Sequence, residues 1–138
     1  MRIKIINGPN LNLLGKREPE IYGTEGFDRV LRELKNRFAH IEFDYFQSNI
    51  EGELINALQE SEDVDAVILN PGGYTHTSVA IGDAIRAIKT PVIEVHITNT
   101  FAREDFRHTS YTAPHCVGAI VGFGIKGYAL AALALLEK

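Results

Sequence analysis

The 138-residue chain is long enough for one domain burying roughly two thirds of its unfolded surface, and no stretch approaches the ~20 apolar residues of a membrane-spanning helix. Its 45% apolar and 23% charged residues suit a globular protein, and a net charge of −4 with no basic run argues against nucleic acid or an anionic membrane as partner. One cysteine, Cys116, excludes an internal disulfide and suits a reducing cytoplasm, and the apolar run in MRIKIINGPN is too short for a secretory signal.

Ile3-Lys4-Ile5-Ile6 reads as a first strand, halted by the turn Asn7-Gly8-Pro9-Asn10. From Leu11 to Thr24 neither a helical nor a strand period is present. This segment holds Gly15, Pro19 and Gly23 and gathers Lys16, Arg17, Glu18 and Tyr22. A loop that long in a compact domain is more often a lid or binding loop than a plain connection, so a lid is expected over about 11–24. Phe27, Val30, Leu31, Leu34 and Phe38 then recur at helical spacing. Ile41 to Phe46 reads as a second strand with Phe43 and Tyr45 on one face. Ile50, Leu54, Ile55 and Leu58 mark a second helix, with Glu51 and Glu53 in the first turn, where the helix dipole favours them.

Val64 to Leu69 is a short apolar run rich in β-branched residues, the pattern of a parallel strand covered on both faces. Asn70-Pro71-Gly72-Gly73 must then leave the sheet, because proline has no N–H for the ladder and glycine accepts positive φ. Tyr74, Thr75 and His76 follow as a cluster of hydrogen-bonding side chains. Thr77 or Ser78 can cap a third helix in which Ile81, Ala84, Ile85 and Ile88 share a face. Val92 to Val95 is a fourth strand closing at His96, and the polar stretch from Thr98 to Pro114 holds Arg103 and Arg107. Cys116 to Val121 reads as a fifth strand and Ile125 to Leu136 as a last helix. Strict alternation of strands and helices predicts a parallel sheet with helices on both faces and right-handed crossovers. The expected fold is α/β, a flavodoxin-like doubly wound domain over residues 1–138, with a five-stranded parallel sheet of order 2-1-3-4-5.

That order puts the switch point between the first and third strands. The turns from Asn7 and from Asn70 then face each other, and the segment after His96 borders the same crevice. The side chains gathered there are Tyr22, His76, His96, Arg17, Arg103, Arg107, Asn10 and Asn70. Glu94 stands two residues before His96, so on an extended segment both point to one side and the carboxylate can orient the imidazole. A strand-end histidine by itself is more often structural, and Glu94 beside it puts the chemical reading on an equal footing. The histidines show no metal-ligand spacing and have no cysteine partner, so no metal site is expected. Gly122-x-Gly124-x-x-Gly127 matches a dinucleotide fingerprint between a strand and a helix. It follows the last strand, however, with no further strand or ribose-binding acid, and reads better as close helix–sheet packing.

Three motifs, NGPNLNLLGKREPEIYG from Asn7, NPGGYTHTSVAIGDAI from Asn70 and EVHITNTFAREDFRHTSY from Glu94, together resemble the type II 3-dehydroquinate dehydratases of the shikimate pathway. Length and element order agree with that family over the whole chain. The resemblance implies a flavodoxin-like fold assembled as a homododecamer, a tetramer of trimers, with neither metal nor cofactor. It implies anti elimination of water from 3-dehydroquinate through an enolate. Tyr22 matches the family's base, and Arg17 and Arg103 match the cations that activate it; a nearby cation lowers a tyrosine pKa by roughly 1–3 units. Asn10 matches the residue holding a water on the enolate oxygen, and His96, oriented by Glu94, matches the acid that protonates the departing hydroxyl. Asn70, His76 and Arg107 match groups that bind substrate hydroxyls, while the backbone amides of Ile97 and Thr98 match those receiving its carboxylate. Asp83 matches a residue that reaches a neighbouring subunit's site within the trimer. Thr98 stands where serine is commoner, Thr100 replaces an aliphatic residue and Phe101 replaces what is often histidine.

Two other functions fit parts of this pattern. A flavodoxin-like module could hold a small polyhydroxy acid or phosphate without turnover, which the arginines and amides allow but in which an ionisable Tyr22 and a Glu94–His96 pair would be superfluous. A lyase or isomerase could apply the same enolate chemistry to another ketone-bearing hydroxy acid.

Overall fold

A computed structural model of the chain describes residues 1–16 and 26–137. Arg17, Tyr22 and most of the expected lid lie outside the described residues. Strands β1 (Arg2–Asn7), β2 (Glu42–Gln47), β3 (Ala66–Asn70), β4 (Val92–His96) and β5 (Gly118–Val121) form a single parallel sheet in the order β2-β1-β3-β4-β5. The expected order and fold class are therefore the observed ones.

Period-two alternation decides which side chain meets which layer. Ile3, Ile5, Phe43, Ile68, Ile93 and Val95 face α1 (Phe27–Arg37) and α4 (Lys126–Leu136), which contribute Phe27, Val30, Leu34, Tyr128, Ala131, Ala132 and Leu135. Ile6, Val67, Leu69 and Val92 point the other way, onto α2 (Glu51–Gln59) and α3 (Val79–Ala87) through Leu54, Ala57, Leu58, Ile81, Ala84 and Ile85. Every residue of β3 is buried, as a central strand between two helical layers requires. Ser78 rather than Thr77 caps α3, its hydroxyl accepting the Ile81 N–H at 2.9 Å. The close-packing reading of Gly127 also holds. A Cβ there would lie 3.0 Å from Val95 Cγ1, so glycine lets α4 approach β4.

Two expectations need correction. Ile50 is the residue before α2 and is 59% exposed, because the backbone there is still extended and the helical period begins only at Glu51. Cys116 lies outside β5: its N–H closes a tight turn onto the Ala113 carbonyl, and the strand starts at Gly118. Gly118 and Ala119 are exposed, so the outer strand is less covered than the symmetric layering implied.

The loops after β1 and β3 interlock at the switch point. The Gly8 N–H donates to the Asn70 carbonyl at 2.7 Å, and a Cβ on Gly8 would sit 2.5 Å from the Pro71 carbonyl oxygen. Gly72 adopts φ +63° and presses against Pro9 from the other side. Gly8→Ala is expected to force these backbones apart and cost about 1–3 kcal/mol, seen as a lower urea midpoint. An unchanged midpoint would mean that the contact is soft.

Candidate active site

Three loop ends converge beyond the carboxyl edge of the sheet and enclose a cleft of about 520 Å³. Its floor is tied together by a hydroxyl from the last helix. Tyr128 Oη donates to Asn7 Oδ1 at 2.8 Å and accepts from Asn70 Nδ2 at 3.1 Å, so α4 clasps the ends of β1 and β3 at once. Burial, opposed by the hydrogen bonds to Asn70 and Asn7, pushes the Tyr128 hydroxyl well above the usual tyrosine range. Tyr128 is thus a neutral structural hydroxyl. Tyr45, which accepts from Asn7 Nδ2 at 3.4 Å, is also raised by burial.

On the β1 side, Asn10 holds the left-handed conformation at φ 70°, which asparagine tolerates better than most residues. Its backbone N–H donates to Asn49 Oδ1 at 3.0 Å, and Gln47 Nε2 donates to that same oxygen at 3.1 Å. The end of β2 therefore sets the turn that turns Asn10 toward the cleft. On the β3 side, Asn70 Oδ1 accepts the Gly72 N–H at 3.1 Å, so the side chain that lines the cleft also shapes the following turn.

The wall comes from β4. Glu94 and His96 occupy alternate positions on the face that further down the strand packs against helices, and both are buried. Glu94 Oε2 lies 2.8 Å from His96 Nε2. A carboxylate only accepts, so Nε2 carries the hydrogen and Nδ1 is the nitrogen left for a ligand. His76 is fixed in the same way. Its Nδ1 lies 2.7 Å from the Thr109 carbonyl oxygen, and its ring lies over that of His96 with centroids 6.3 Å apart. Cys116, near the back of this wall, is pushed up to about 12 by burial and by the Glu94 charge, which makes it an inert thiol.

Cations stand at the mouth. Arg103 Nη1 donates to Thr98 Oγ1 at 3.4 Å, and Arg107 Nε donates to both oxygens of Glu104 at 3.2 and 3.3 Å. A backbone hydrogen bond, then Arg107 and Arg103, hold the exposed Glu104 carboxyl below the usual range against partial desolvation. The Arg107 guanidinium also lies 5.0 Å from the Phe106 ring centre.

Of the residues expected at the site, Asn10, Asn70, His76, His96, Ile97, Thr98, Arg103 and Arg107 all line this one cleft, with Glu94 directly behind His96. Asp83 does not: it is exposed on α3 and absent from the cleft lining. Arg17 and Tyr22 lie outside the described residues, as does that part of the lid. Leu11 and Leu14, at the start of that loop, are partly buried against the core. Residues not singled out from sequence carry much of the support, namely Asn7, Gln47, Asn49, Ser110, Thr112 and Tyr128. A polar run at a strand end, Gln47-Ser48-Asn49, and a lone tyrosine in an alanine-rich helix are features that could have marked some of them, though not their partners.

Residues 1–136 match the family described as Dehydroquinase class II. The chain is 52% identical to a 3-dehydroquinate dehydratase of Fusobacterium nucleatum over 99% of its own length and 97% of that protein. It is 54% identical to one from an Exiguobacterium species, over 99% and 95% respectively. The solved type II dehydroquinase from Butyrivibrio crossotus superposes with a TM-score of 0.92 at 45% identity, covering 99% of this chain and 97% of that one. With the motifs, the sheet order and the cleft in agreement with these likenesses over almost its full length, the chain belongs to the class II dehydroquinase family.

Proposed function

We propose that this protein is a hydro-lyase that dehydrates 3-dehydroquinate to 3-dehydroshikimate, a step of the shikimate pathway toward chorismate and the aromatic amino acids. Family membership carries the reaction. The observation that carries the assignment of roles is the buried Glu94–His96 pair opening onto a cleft lined by amides and arginines.

The substrate's C2 hydrogen lies next to its C3 ketone, so removing it leaves an enolate. In this reading Tyr22, activated by Arg17 and Arg103, takes that proton. Asn10 holds a water against the growing negative charge on the C3 oxygen. The cleft lining among the described residues includes no lysine, which suits stabilisation of an enolate by hydrogen bonds rather than through an imine. The enolate electrons then form the C1–C2 double bond as the C1–O bond breaks. The departing hydroxyl takes a proton from His96 Nδ1 and leaves as water. Glu94, bonded to Nε2, keeps the ring turned so that Nδ1 faces the leaving group and offsets the charge of the doubly protonated ring. Return of the Tyr22 proton to solvent and reprotonation of His96 close the cycle.

Asn70, His76 and Arg107 are assigned to the substrate hydroxyls, and the Ile97 and Thr98 amides to its carboxylate. Two cations at the mouth suit an anionic substrate. The chain is read as one catalytic domain acting in the cytoplasm as a homododecamer, with Asp83 completing a neighbour's site. Exposure of Asp83 and of apolar side chains at Val117, Phe123, Leu130, Leu133 and Leu136 supports an assembly. No helix among the described residues is long and apolar enough to cross a membrane.

Mixing the protein with 3-dehydroquinate and following the ultraviolet absorbance of the conjugated enone tests the reading. Steady growth of that absorbance is expected. Saturable binding without it would favour the non-catalytic module for a polyhydroxy acid.

A further inference from the structure

Glu94 has two oxygens, and only Oε2 meets His96. The other, Oε1, accepts a close hydrogen bond from the hydroxyl of Thr112, a residue with no exposed surface. Behind Thr112 stands Ser110. Its Oγ accepts the Thr112 N–H at 3.2 Å and the Ala113 N–H at 2.9 Å, leaving its own hydrogen for Thr112 Oγ1 at 3.2 Å or Glu94 Oε2 at 3.4 Å. The result is a directed chain from backbone N–H groups through two hydroxyls into a buried carboxylate, in which each bond polarises the next. The pair also needs holding. A pocket of about 90 Å³ adjoins it, lined by Thr75, Glu94, His96 and Ser110 and reaching out to the exposed Phe101 and His108. That space admits water, which would compete for the carboxylate and let it rotate away from the ring.

We infer that Thr112 is a positioning residue for the acid step: its hydroxyl fixes the rotation of the Glu94 carboxylate, which fixes the tautomer and angle of His96. It touches no reacting atom. The inference rests on reading His96 as the proton donor to the leaving hydroxyl.

Thr112→Val keeps the shape and removes the donor; Thr112→Ser keeps the donor and loses a methyl. Each is assayed with 3-dehydroquinate in deuterated water, recording enone formation and deuterium uptake at C2 of unreacted substrate, with His96→Ala in parallel. Thr112→Val is expected to slow elimination about tenfold while C2 exchange persists, since misorientation of a catalytic group costs rate at its own step. The exchange-to-elimination ratio should rise by that factor and return toward wild type in Thr112→Ser. A purely structural role would lower both rates together. A wild-type ratio in Thr112→Val, or a parallel fall of both rates, overturns the inference; if that variant does not fold, Thr112→Ala is read against the same criteria. Should His96→Ala itself leave the ratio unchanged, the assignment of His96 is what fails, and the inference falls with it.

Discussion

Replacing His96 by alanine is expected to reduce turnover by about 10²–10⁴-fold, the usual range for losing a positioned proton donor. The fold should survive, because Glu94 keeps the Thr112 and Ser110 hydroxyls as partners when the imidazole is gone. Loss should fall on elimination rather than on proton abstraction. Hydroxide is a poor leaving group without protonation, whereas the enolate needs only its base and its oxyanion contacts. C2 exchange with solvent deuterium should therefore outpace product formation. If both activities disappear together while ligand binding is intact, His96 acts before the enolate forms, and the acid must be sought elsewhere on the cleft wall.

Tyr22→Phe is expected to leave folding unchanged and to lower both exchange and elimination by about 10²–10⁴-fold, since phenylalanine keeps the ring and deletes the proton acceptor. The contrast with His96→Ala is the informative part. A missing base blocks the first step, so no exchange should accumulate, whereas a missing acid lets exchange continue. More than a tenth of wild-type turnover in Tyr22→Phe would remove it from the role of base. Neither Tyr128 nor Tyr45 is placed to take over, since burial holds both hydroxyls neutral and ties them to Asn7.

The sheet was legible because period two and period 3.6 alternate cleanly along the chain and parallel strands leave few orders open. From that order alone the turns at Asn10, Asn70 and His96 had to meet, and they line one cleft. The Glu94–His96 contact was legible because it is local: residues two apart on a strand share a face. The supporting bonds were not. Tyr128 meets Asn70 across 58 residues and Asn7 across 121, and Thr112 meets Glu94 across 18, so no spacing in the sequence signals them. Ile50 misled because an apolar residue just before a helix fits the helical period by accident while its backbone is still extended. Cys116 misled in the same way, as an apolar residue continuous with a strand that a tight turn cuts off. Asp83 shows a different limit. Its expected partner belongs to another copy of the chain, so one protomer leaves it exposed whatever its role.

The stereochemical course of the reaction, followed with 3-dehydroquinate carrying deuterium at one or the other C2 position, decides whether base and acid work from two faces. On the proposed roles, Tyr22 as base and His96 as acid would act from opposite faces of the substrate. Loss of the C2 hydrogen anti to the C1 hydroxyl is therefore expected, with deuterium at the syn position retained in the enone. Loss of the syn hydrogen would contradict a two-faced site built from Tyr22 and His96.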